Sequence, residues 1–227
     1  MSAPRGAGEQ EPPREGAVEE AVAAELPGLR LLCSEVEVGR AGSLTGDSPP
    51  DVQARLRELS NRVRGARAIG IRREPLPAAY RVFFRQVGID PDVQRTPIEE
   101  AVLERMLRGG FLSGGTLEDI LLIALLDTGV PVWALDAETV EGGLGIRLSG
   151  EAEQLGRGPD PPLLPEGRLV VADARSALAV LFGERAPGHV PKGRTRRLAL
   201  YAVQVPGVPA LYAEEALWTA ASSLRAP

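Results

Sequence analysis

The chain has 227 residues, enough for one domain of ordinary size with tails or for two small ones. Its hydrophobic content of 44% and charged content of 25% are those of a globular protein, and with 4% aromatic residues the core must be mostly aliphatic. The formal net charge of −5 argues against broad, nonspecific nucleic-acid binding while leaving room for a local basic patch. The single cysteine, Cys33, cannot form an intrachain disulfide and fits a reducing compartment. The sequence shows neither a signal-peptide apolar region nor a run of roughly 20 apolar residues, so a cytoplasmic location without membrane contact is expected.

Residues 1–27 are rich in Pro, Gly, Glu and Ala and are expected to form a disordered tail, with at most a short helix near 17–26. One folded domain is expected over residues 28–225. Residues 29–38, LRLLCSEVEV, read as its first strand, and the closing Glu/Val alternation suits a half-exposed edge. Cys33 among the leucines reads as a small buried hydrophobe, because no His or CxxC partner lies near it in sequence.

A loop over 39–50 leads through Ser48-Pro49-Pro50-Asp51 into a helix whose apolar face is Val52, Leu56, Leu59 and Val63. Its other face carries Arg55, Arg57, Arg62, Arg64 and Arg67. This reads as a solvated face, since Asp51 and Glu58 are interleaved and no aromatic side chain is there to stack on a base. In the next helix, over 78–87, Tyr80, Phe83, Phe84 and Val87 follow the i, i+3, i+4, i+7 spacing of a core face, and Gly88 ends it. Thr96-Pro97-Ile98-Glu99 is a capping box with Pro at the first helical position, and the helix it opens breaks at Gly109-Gly110.

Residues 114–148 are the best-determined part of the chain. Thr116 is expected to cap a helix, with Asp119 three residues on and Glu118 beside it at the positive end of the dipole. The unbroken apolar run 120–126 predicts a helix covered on most sides, stopped by Gly129 and Pro131. Residues 130–135 read as a buried strand, and Gly142-Gly143 as a turn into a second strand over 144–148. Further on come a Gly/Pro loop at 156–165, a short strand at 168–173, an apolar run at 177–182 closed by Gly183, a strand at 195–205 and a final helix at 211–224.

Several of these stretches together resemble the tRNA-binding and editing domain of the phenylalanyl-tRNA synthetase beta subunit. Pro131-Val132-Trp133-Ala134-Leu135-Asp136 followed by Glu141-Gly142-Gly143 is similar to a family segment reading roughly P-L-H-A-F-D, then E-G-G-I-V-V-R. Pro77-Ala78-Ala79-Tyr80-Arg81, Gly88-Ile89-Asp90-Pro91, the strand ending Ala172-Asp173 and the pair Gly183-Glu184 are similar to further family features in the same order. The resemblance is clearest over residues 70–210. It implies a single α+β domain, with helices packed on a mixed, largely antiparallel sheet. Arg185 to Gly193 departs from it as a loop insertion, Trp133 stands where the family usually carries His, and Gly115-Thr116 replaces a pair of asparagines.

No GxSxG, P-loop, HExxH or CxxC motif is present, so no metal or cofactor is implied. The one histidine, His189, sits in a Gly/Pro loop without an apparent partner, which argues against a histidine-based triad. The resemblance implies a substrate pocket. In it Glu184, after Gly183, recognises the amino-acid side chain, a role a buried carboxylate performs well because a ligand without the matching donor leaves it unpaired. Gly114, Gly115 and Thr116 open the central helix, whose free N–H groups can hold a carboxylate or a phosphate. Glu141 and Gly142 bring backbone close to a ligand or simply turn the chain, and Trp133 either lines the pocket or belongs to the core. Arg194, Arg196 and Arg197 are the candidate tRNA contacts, with a solvated edge as the plainer reading.

Two functions follow. The resemblance implies hydrolysis in trans of a mischarged amino acid from the acceptor end of a tRNA, without aminoacylation, for which the remaining residues leave no catalytic domain. The other is a non-catalytic module that binds a free amino acid, small ligand, tRNA or protein partner through the same pocket, and the departures at Gly115, Thr116 and Trp133 favour it.

Overall fold

The apolar runs and caps resolve into seven strands and seven α-helices among the described residues, 11–39, 43–158 and 160–225 of a computed structural model. The strands are β1 (Arg14–Val18), β2 (Arg30–Glu37), β3 (Val132–Asp136), β4 (Gly145–Leu148), β5 (Leu169–Ala172), β6 (Ala177–Val180) and β7 (Arg197–Gln204). The helices are α1 (Glu20–Glu25), α2 (Pro50–Arg62), α3 (Ala66–Gly70), α4 (Pro75–Gln86), α5 (Pro97–Arg108), α6 (Thr116–Thr128) and α7 (Ala210–Arg225). The strands form one sheet in the order β3-β7-β2-β1-β4-β5-β6. Every neighbouring pair is antiparallel except β1 and β4, so the fold is the expected α+β arrangement on a mixed, largely antiparallel sheet.

β7 pairs with β2 and β3, and every residue from Leu198 to Gln204 is buried. A strand covered on both faces needs a continuous apolar run rather than alternation, which LALYAV supplies. Helix α7 packs on β2 and β7 through Ala213, Ala216, Leu217, Ala220 and Ala221, whose small side chains let it lie close to the sheet, and α6 packs against α7. Helix α4 is held to the same strand by the buried Tyr80 hydroxyl, which donates to the Val203 carbonyl at 2.8 Å.

The N-terminal segment corrects the composition-based expectation. Residues 1–10 lie outside the described residues, but β1 and α1 follow at once, and Val22 is buried. β1 lies antiparallel to β2 and parallel to β4, so it joins the two halves of the sheet. Strand pairing is a main-chain interaction, and a polar sequence such as REGAV enters a sheet if its neighbours leave open ladders. Gly16 fits because a Cβ there would stand 2.5 Å from the Leu144 carbonyl oxygen, and Arg30 clamps Glu15 with two hydrogen bonds of 2.8 Å.

Three other expectations shift. β2 is interior over its first half, but residues 34–37 pair with β7 alone, which is where Glu35 and Glu37 point out. β3 and β4 do not form a hairpin: β7, β2 and β1 stand between them, and the chain crosses through a 3₁₀ turn at Ala137–Thr139. The cap of α6 is Gly115, at φ 136°, not Thr116. Asp119 instead accepts from the Gly114 N–H at 2.9 Å and from the hydroxyls of Ser48 and Ser113 at 2.5 Å each, while almost fully buried. It thereby ties the loop before α2 to the entry of α6. Asp119→Ala leaves three donors without an acceptor and should lower stability by about 3 kcal/mol, measured by urea denaturation. A change under roughly 1 kcal/mol would mean that water satisfies these groups.

Candidate functional site

The residues singled out from the sequence occupy four separate places. At the start of α6, the Thr116 N–H donates to the Gly46 carbonyl at 3.0 Å and the Leu117 N–H to the Leu44 carbonyl at 2.9 Å. The loop over 44–47 thus uses two N–H groups of the helix start that was expected to meet a ligand anion. A shallow hollow of about 310 Å³ remains outside, lined by Gly114, Gly115, Thr45, Asp47, Arg57 and Phe111.

Glu141 and Gly142 lie in an ionic knot. The Glu141 carboxylate accepts from Arg157 at 2.9 Å and Arg175 at 2.7 Å, and its N–H donates to Asp173 at 2.9 Å. Asp173, whose side chain is wholly buried, also accepts from the N–H groups of Arg175 and Ser176 and from Arg157 at 3.1 Å. Burial alone would raise its carboxyl pKa, but the three N–H donors and the Arg157 guanidinium outweigh it and hold the group below its ordinary value. The knot fixes the loop after β3 against the turn between β5 and β6. The sequence missed Arg157 and Asp173, because their ionic partners lie 16 residues away.

His189, expected to lack a partner, is buried with Nδ1 2.9 Å from the Thr139 hydroxyl, while Nε2 has no partner. Burial, then the nearby Arg157 charge, lowers its pKa below the ordinary histidine value. It stands beside the knot as a neutral ring.

Trp133, Gly183 and Glu184 meet the third region, at the end of β6. Trp133 is half-buried, stacked on Tyr201 with centroids 5.5 Å apart and edge-on to Phe182 at 5.5 Å. Phe182 also contacts Tyr80, Phe83 and Phe84 at 5.0–5.9 Å. Aromatic rings therefore fill the space beside Trp133. Gly183 and Glu184 are exposed, and the Glu184 backbone carbonyl closes the hairpin by accepting from the Val180 N–H. The fourth place is the approach to β7. Arg194 and Arg196 are exposed without an ion pair among the described residues, and Arg197 pairs with Glu35 at 3.2 Å.

A larger concavity lies elsewhere, between β1, the second half of β2 and the loop leading into β4. It has a volume of about 1060 Å³ and is lined by Cys33, Ser34, Arg147, Ala174 and Gly142 to Gly145, among others. Only Gly142 of the expected pocket residues reaches it. Burial pushes the Cys33 thiol pKa up to about 12, so at neutral pH it is protonated and no nucleophile. The cleft was not legible in the sequence because one wall is the N-terminal segment that composition reads as a tail. Among the described residues no helix is long and apolar enough to cross a membrane, and no three His, Cys, Asp or Glu side chains are grouped to share an ion.

Because the folded state resists protonating His189, the unfolded chain binds the proton more readily. Stability should therefore fall as pH drops below about 6.5, the ordinary histidine value, and level off below the folded one. Asp173 adds a further loss at lower pH, as its carboxylate is protonated. Urea midpoints between pH 7.5 and 5.5 should fall less in His189→Gln than in the unaltered chain; parallel curves would exclude the histidine as the source.

No family model matches the chain. Curated relatives do. It is 37% identical over 97 residues to the phenylalanine–tRNA ligase beta subunit of Xanthomonas axonopodis pv. citri, covering 41% of this chain and 12% of that subunit. It is 34% identical over 110 residues to the beta subunit of Gloeobacter violaceus, covering 47% and 14%, and 33% identical over 99 residues to that of Colwellia psychrerythraea, covering 42% and 12%. The match therefore spans only about an eighth of each relative's length. Over some two fifths of its own residues, the chain is related to the beta subunit of phenylalanine–tRNA ligase.

Proposed function

We propose that this chain acts on aminoacyl-tRNA in trans, holding the acceptor end of a charged tRNA and hydrolysing a wrong amino acid from it. The similarity to phenylalanine–tRNA ligase beta subunits carries the reading. The cleft adds support. At about 1060 Å³ it is large enough for a terminal nucleoside with its esterified amino acid. In the reaction, water adds to the ester carbonyl, the bond to the ribose oxygen breaks, and the water proton passes to that oxygen. The neighbouring ribose hydroxyl relays it, and backbone N–H groups steady the oxyanion. The protein's share is positioning rather than a side-chain nucleophile.

The aromatic packing around Phe182 favours a second reading. It occupies the place where the resemblance puts the amino-acid side chain, and two of the α6 N–H groups are already used. A non-catalytic module that binds tRNA or a free amino acid through the cleft would need neither.

A panel of mischarged tRNAs separates the two. Editing predicts release of at least one amino acid well above the protein-free rate. Gly143 has open space around its missing Cβ and lines the cleft, so Gly143→Trp should plug it and slow that release at least tenfold if the ester binds there. Glu184→Ala should do the same if Glu184 reads the side chain. Binding of tRNA with no release of any amino acid would leave the non-catalytic reading.

A further inference from the structure

We infer that the outer flank of α2 and the turn after α3 form the surface that meets the phosphodiester backbone of an RNA. The identity of this polyanion rests on the tRNA reading above; its location rests on charge. Residues 51–74 contain seven arginines and three acids, Asp51, Glu58 and Glu74, in a chain of net charge −5. Helix α2 buries Val52, Leu56 and Leu59 and packs on α6, so its arginines stand on the outward side.

They do not all remain available. Asp127 accepts two hydrogen bonds of 2.8 Å from Arg55 and a longer one from Arg62, and Glu58 accepts another from Arg55. Glu58, one of the two interleaved acids that suggested a merely solvated face, is thereby engaged on one side of the helix. On the other side Arg57, Arg64, Arg72 and Arg73 are exposed, and none forms an ion pair among the described residues. Arg64 bonds only the neutral Asn61. Arg57 stands on the exposed side of α2, and Arg64 lies two residues beyond the end of that helix. Along this stretch exposed guanidinium groups outnumber carboxylates in an otherwise acidic molecule, which attracts a polyanion to it, with Arg72 also acting on the Asp92 charge. Arginine is suited to phosphate oxygens, and without aromatic side chains among the four the contact positions the backbone rather than reads bases. Near β7, Lys192, Arg194 and Arg196 are exposed without an ion pair among the described residues, and Arg197 holds Glu35.

The experiment is equilibrium binding of an uncharged, transcribed tRNA between 50 and 300 mM salt, with thermal melts confirming that each variant is folded. Replacing Arg57, Arg64, Arg72 and Arg73 together by Ala should weaken binding at least tenfold near 100 mM and lower the slope of log K against log salt by about 3. Replacing the same four by Lys should keep most of the slope, and Arg194→Ala with Arg196→Ala should change affinity less than about threefold. If the unaltered protein binds tRNA and the fourfold Ala variant binds it equally well, the location is wrong while the tRNA reading stands. If the unaltered protein binds no tRNA at any salt concentration, both fall.

Discussion

The ring of Phe182 lies 5.0–5.9 Å from those of Tyr80, Phe83, Phe84 and Trp133, and much of the architecture depends on that packing. β3 and β6 are the two outermost strands of the sheet, yet Trp133 belongs to the first and Phe182 to the hairpin that ends the second. Their contact, with a 3.3 Å hydrogen bond from Arg185 to the Ala134 carbonyl, holds the sheet curled until its outer strands approach. Phe182 has φ 57°, a left-handed conformation that costs a bulky residue about 1–2 kcal/mol. Burying part of its ring against four aromatics offsets that cost, since aromatic pairs contribute on the order of 1 kcal/mol each beyond the area they cover.

The same packing bears on function. A chain with 4% aromatic residues has gathered six of its nine rings around one point, counting Tyr201 behind Trp133. That point adjoins Gly183 and Glu184, where the resemblance places amino-acid recognition. Side chains fill it, and the open volume lies instead under β1 and the Gly142–Gly145 loop. The ionic knot of Glu141, Arg157, Asp173 and Arg175 holds one border of this volume in place. Because Asp173 is buried and fully paired, the loop it anchors is a fixed wall rather than a mobile lid.

The N-terminal strand has a comparable role in the middle of the sheet. β2 and β4 each pair with β1 and not with each other, so the chain's polar opening segment joins the half of the sheet under α6 and α7 to the half that carries β5 and β6. It lies by the Gly145 backbone, where a Cβ would stand 2.8 Å from the Ala17 carbonyl oxygen. The glycines of the 142–145 loop are thus shared between a turn, at Gly142, and a close strand contact, at Gly145.

The sequence by itself determined the elements whose signals are local. The Thr96–Glu99 box, the left-handed Gly109 and Gly129, the apolar runs of α6 and β7 and the aromatic face of α4 all depend on neighbours within a turn or two, and each stands where periodicity and capping put it. Tertiary structure decided the rest, because the deciding partners are far apart in the chain. Leu44 and Gly46 close the N-terminus of α6 from some 70 residues away, Asp127 removes Arg55 and Arg62 from a basic face, and open ladders on β2 and β4 turn a tail-like segment into a central strand. A backbone N–H, a carboxylate and a sheet edge each take whichever partner the fold supplies, and composition carries no record of that choice.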